Sequence, residues 1–187
     1  YVRGHWFCED NMFPDTIDKA FKMMVYIHGR DDWEPGASEK VKITDENLKV
    51  IFEEKKQAIS EFENLTRILN VENLGFPQEV IDDINDMFKI YRVYCHIGLY
   101  SCKTVFLSQQ AIESGEQEHK ESALYAINEL REYHKYVKRF LSERKKFYPH
   151  IIFWLLNEKR MESLVNDATE LVTGIRKQVI NTDFVKG

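Results

Sequence analysis

The feature that most restricts this chain is a run of mostly apolar or small residues at alternating steps of three and four: Ile81, Ile84, Phe88, Tyr91, Cys95, Gly98, Cys102, Val105, Gln109 and Ile112. A seven-residue repeat kept this long marks a helix with one continuous seam facing a partner. Val80, Met87, Ile90, Tyr94, Ile97, Leu99 and Phe106 fill the flanks. Between Met87 and Phe106 the segment is apolar round most of its circumference, which predicts a rod enclosed by other helices. Pro77 suits its first turn and Gly115 its stop. At ~1.5 Å per residue this rod would be roughly 55 Å long and would need partners of similar length. Lys89, Arg92, His96 and Lys103 interrupt the run. No uncharged span of about 18 residues is left, so membrane insertion is not expected.

The rest of the chain offers such partners. Asp15 to His28 reads as a short helix, opened by Pro14 and Asp15, lined by Ile17, Ala20, Phe21 and Met24, and closed by Gly29. Arg30 to Ile43 is one long connection. Thr44 is the expected N-cap of a helix running to about Asn70, with Asp45 and Glu46 in its first turn. A fourth helix is expected from Glu116 to about Phe147, and a fifth from Pro149 to about Ile180. The connections near 71–76, 114–115 and 148–149 are short, which makes consecutive helices antiparallel neighbours. The expected fold is all-α: an up-and-down antiparallel bundle of four long helices, plus a short N-terminal helix and an irregular aromatic arm, Tyr1 to Phe13. Residues 1–43 then pack on the bundle of residues 44–187 as one domain. The 8 Gly and 4 Pro among 187 residues leave few turns, which suits long helices better than many short strands.

A hydrophobic share of 43% is enough for a sizeable core. A net charge of −5 and a pI near 5.7 lack the basic footprint of a nucleic-acid binder. They also disfavour an acidic membrane surface. The chain begins at Tyr1, with no initiator methionine and no signal peptide in view, and is expected to be a piece of a larger protein. Of its three cysteines, Cys95 and Cys102 are two helical turns, roughly 10 Å, apart. That is too far for a mutual disulfide, so they read as small buried thiols.

Chemistry-bearing patterns are sparse. Glu116-x-x-His119 has the spacing of a carboxylate-bridged di-iron bundle, but it occurs once and at a helix start. His96, His134 and His150 fall on or near apolar faces without a local ligand pair, and are expected to be hydrogen-bonded core or boundary histidines. Glu9, Asp10, Asp31, Asp32 and Glu34 flank the irregular segments, where paired acids could act as acid and base. Cys8 has His5 three positions before it, and Asn64-Leu65-Thr66 fits a glycosylation sequon within a helix. None of these is specific enough to assign a catalytic residue, a metal or a cofactor.

Aromatic residues make up 13% of the chain, and two sets stand out. Trp33 lies in the long connection, either pinning it to the bundle or standing as a contact. Phe147, Tyr148, Phe153 and Trp154 cluster at one end of the expected bundle, a reasonable place for an interface. These five residues are the ligand or interface candidates. The expected function is a non-catalytic helical module for domain packing or for binding another protein. A small-ligand-binding bundle is one alternative, and an enzyme using loop carboxylates or a bundle metal another. The layout resembles the helical regions that follow the catalytic barrel in some multidomain bacterial glycoside hydrolases. That resemblance implies an accessory helical region and carries no motif and no catalytic residue across.

Overall fold

Thr16 opens the first helix: its backbone is extended and its hydroxyl accepts the N–H of Lys19 at 3.4 Å. The expected opening at Pro14 and Asp15 thus shifts to a hydroxyl cap, and Asp15 pairs with Lys19 at 2.9 Å. The structure, a computed structural model, describes residues 15–72, 74–144 and 158–174. Among them are six helices and no strand: α1 (Ile17–His28), α2 (Ala37–Lys40), α3 (Asp45–Val71), α4 (Gln78–Ser114), α5 (Gln117–Arg144) and α6 (Glu158–Thr173). The N-terminal arm lies outside the described residues.

The other ends follow the same local chemistry. The Thr44 hydroxyl accepts the Asn47 N–H at 3.2 Å and starts α3. Gly29 ends α1, its N–H returning to the Val25 carbonyl at 2.8 Å. Gly115 ends α4 at φ 68°, a left-handed conformation that only glycine adopts at no cost. One element is new. The long connection holds α2, a single turn whose Ala37 is buried against the body of the protein. Four residues are too few to show a period.

α4 packs most widely against α5 and α3, and it also touches α6 and α1. Near one end of the α3–α4 pair Gln110 donates to Asp45 at 2.8 Å. Near the other, the amides of Asn70 and Asn85 donate to each other at 2.9 Å. The two helices therefore run in opposite directions. α4 and α5 also run oppositely: Thr104 donates to the Ala126 carbonyl at 3.2 Å, Lys103 pairs with Glu129, and the His96 ring stacks on Tyr133. Asp167 ties α6 to α1 by accepting the Ile17 N–H at 2.7 Å. Phe21 closes the α1 side of the core, edge-on to Phe106 with ring centres 5.8 Å apart.

The core runs along α4, with Ile97, Phe106, Ile127, Leu130, Met161 and Leu164 almost wholly enclosed. Each such side chain contributes roughly 1.5–3 kcal/mol of burial. From Val93 to Phe106 every residue of α4 except His96, Tyr100 and Lys103 is buried. The seam is unevenly covered: Tyr91 is 45% exposed although its ring stacks on Phe62 with centres 5.8 Å apart, and Ile112 is 44% exposed. A strict seven-residue repeat drifts about 20° per heptad on a straight helix, so the Ile112 end of the seam rotates out of the interface. Among the described residues no helix is long and apolar enough to cross a membrane.

Candidate functional site

Two surfaces stand out once the helices are in place. The first is the turn between α1 and α2. The Arg30 carbonyl accepts the N–H groups of both Trp33 and Glu34 at 3.1 Å, and the Glu34 carbonyl accepts that of Ala37 at 3.0 Å. Asp31 is the hub, taking the Ser38 N–H at 3.0 Å and the Ser38 hydroxyl at 2.6 Å. The Ser38 hydroxyl, and then the Ser38 N–H, hold its carboxyl below the usual carboxylate range. Gly36 turns the chain at φ 81°. Buried Ala37 and Val41 anchor the segment.

This frame presents rings to solvent. Trp33 is 67% exposed and Tyr26, in the last turns of α1, is 69% exposed. The guanidinium of Arg30 lies between them, 4.2 Å from the Trp33 ring centre and 5.8 Å from that of Tyr26. Asp32 grips the same guanidinium with two bonds, at 3.0 and 2.5 Å. Trp33 therefore does not pin the loop to the bundle. Asp31 and backbone bonds shape the loop, buried Ala37 and Val41 anchor it, and the indole stands outward on an arginine.

The second surface lies between α4 and α5. His96, Tyr100, Tyr133, Tyr136 and Phe140 form a ladder of rings with successive centres 5.0 to 6.0 Å apart. His96 donates from Nδ1 to the Arg92 carbonyl at 2.8 Å, since a carbonyl can only accept, and this bond orients the ring. Burial, reinforced by the neighbouring Tyr136 and Tyr100, pushes the Tyr133 phenol well above the usual range, so it stays a neutral hydroxyl. The top of the ladder opens into a groove of about 380 Å³ lined by Lys89, Arg92, Tyr136, Arg139, Phe140 and Glu143. The ladder is not legible in the sequence, because the pairing depends on the register of α4 against α5.

The other candidates are dispersed. Among the loop acids, Asp31 binds Ser38, Asp32 binds Arg30 and Glu34 pairs with Lys40, so each is engaged by its own partner. His119 sits 3.7 Å from Glu116 and meets the Ser114 hydroxyl at 2.8 Å, an arrangement at the start of α5. Among the described residues no three His, Cys, Asp or Glu side chains come together as a metal site. Cys95 and Cys102 are buried free thiols, which burial pushes up to about 11 and about 12. Within the sequon, Asn64 accepts from Arg67 at 2.9 Å and the Thr66 hydroxyl donates to the Phe62 carbonyl at 2.7 Å, both in mid-helix. Phe147, Tyr148, Phe153 and Trp154 lie outside the described residues, as do His5, Cys8, Glu9, Asp10 and His150.

No family model, curated protein or solved structure matches the chain.

Proposed function

We propose that the chain is a non-catalytic helical module that binds another protein or a neighbouring domain, with Trp33 at the centre of the contact. The reading takes α3 to α6 as an up-and-down antiparallel bundle, with residues 1–43 packed on it as part of one domain. One observation carries it: a two-thirds exposed tryptophan held in place by a turn whose polar groups are committed to shaping it. Trp, Tyr and Arg are the residue types that dominate binding hot spots, and here all three are adjacent. A ring already fixed before contact loses little rotamer freedom on binding, which favours affinity. Among the described residues the loop acids Asp31, Asp32 and Glu34 are each engaged by a partner, which supports a structural role over a catalytic one. In an accessory region of a glycoside hydrolase, the neighbouring domain would be the catalytic barrel.

The test is a photo-reactive amino acid placed at position 33 in the source cells, with one at Val50, 62% exposed on α3, as control. Position 33 should yield one defined adduct, to a second protein or to another part of the same polypeptide, and position 50 should not. With that partner purified, Trp33→Ala should weaken binding by about tenfold or more, the scale of a hot-spot residue, while the unfolding midpoint stays unchanged. Equal adducts from both positions, or a Trp33→Ala chain that unfolds, would overturn the proposal.

A further inference from the structure

We propose that the groove between α4 and α5 binds a small organic anion, a phosphate or carboxylate on a flat apolar body. The proposal stands apart from the Trp33 contact and uses none of its residues. Its cations come from two helices: Lys89 and Arg92 from α4, Arg139 from α5. Lys89 is shared with Asp86 across 3.7 Å, so the two guanidiniums carry the argument. Among the described residues neither Arg92 nor Arg139 forms an ion pair, in a chain whose net charge is −5 and in which Lys19, Lys22, Lys40, Lys56, Lys103 and Lys135 each pair with an acid. Arg92 is half-buried. Holding a guanidinium there without a carboxylate leaves its donors available to an oxyanion, which an arginine fork binds with two parallel bonds.

The floor fixes the rest of the ligand. Tyr136 and Phe140, ring centres 6.0 Å apart, continue the ladder up to the cations. A flat ring laid on them extends a stack that already runs through Tyr133 to His96. The volume of about 380 Å³ falls within the range of small-molecule sites and holds one ring with its anionic group. Glu143 also lines the groove and disfavours a ligand with a second negative charge.

The experiment is a calorimetric titration of the purified chain with phenyl phosphate, phenylacetate, inorganic phosphate and benzyl alcohol. Phenyl phosphate or phenylacetate should bind at least about tenfold more tightly than inorganic phosphate and benzyl alcohol, and the tighter of the two identifies the oxyanion. Arg139→Gln, an exposed position that leaves the core untouched, should weaken binding by about tenfold, and Arg92→Gln and Tyr136→Ala by a similar factor. Trp33→Ala should leave binding unchanged, which separates this site from the Trp33 contact. Equal binding of inorganic phosphate and phenyl phosphate, insensitivity to Tyr136→Ala, or no heat with any of the four compounds would overturn the proposal.

Discussion

The Asp167 carboxylate accepts the backbone N–H of Ile17 at 2.7 Å, so α6 caps a helix that begins 150 positions earlier. Burial, helped by Glu170, Asp15 and Asp18 nearby, raises the Asp167 carboxyl above its ordinary value despite that bond. A carboxyl whose folded pKa is raised favours the fold most in its protonated form. That contribution is fully present below the unfolded pKa, near 3.9, and is lost as pH rises through the folded pKa. Asp167→Asn keeps an acceptor for Ile17 and removes the charge. It should stabilise the protein at neutral pH by less than about 1 kcal/mol, since the group is part exposed, with the gain fading in acid. Urea unfolding of both chains across the acidic range measures this. A variant less stable at neutral pH would show that the charge at the start of α1 is favourable.

Asp31 has the opposite sign. The Ser38 donors depress its folded pKa, so its contribution to the turn is complete above the ordinary carboxylate range and disappears as pH falls through the lower folded value. The Ser38 amide proton, followed by NMR in a pH titration, should keep its hydrogen-bonded shift below about pH 3.9 and lose it only in stronger acid. A midpoint at or above that value would mean the bond does not hold the turn.

Arg30 stacks on Trp33 and is gripped by Asp32 at the same time. Lysine has no planar fork with which to do both. Arg30→Lys should therefore move the Trp33 indole resonance and sharpen it towards that of a free side chain. The unfolding free energy should change by less than about 0.5 kcal/mol, as for other surface changes. An unshifted resonance would show that the indole is held by something else.

Much of this fold was legible in the chain, and the failures have physical causes. Helix ends at Thr44, Gly29 and Gly115 were readable because caps are local chemistry. The enclosure of Cys95, Cys102 and Val105 was readable because the repeat is long. Ile112 is expected in the seam but lies 44% exposed, since periodicity does not show where helix twist carries the seam off its partner. The Asp31–Ser38 hub spans seven positions of irregular chain and has no period to announce it. The ladder from His96 to Phe140 needs the register of two helices, which no single helix encodes.

Residues of one helix should differ widely in cost. Ile97→Ala removes a wholly enclosed side chain and should destabilise the protein by about 2–5 kcal/mol. Met87→Ala, on the uncovered part of α4, should cost less than about 1 kcal/mol. Denaturant melts of the two variants decide it, and equal costs would contradict the uneven enclosure of α4.

The central claim is that α4 between Val93 and Phe106 is an enclosed rod around which the other helices are laid. Hydrogen exchange read by mass spectrometry tests it most directly. Peptides from 93–106 should exchange last of all, opening only with global unfolding, while those from 78–88 exchange earlier. Exchange in 93–106 as fast as in 78–88 would contradict the account.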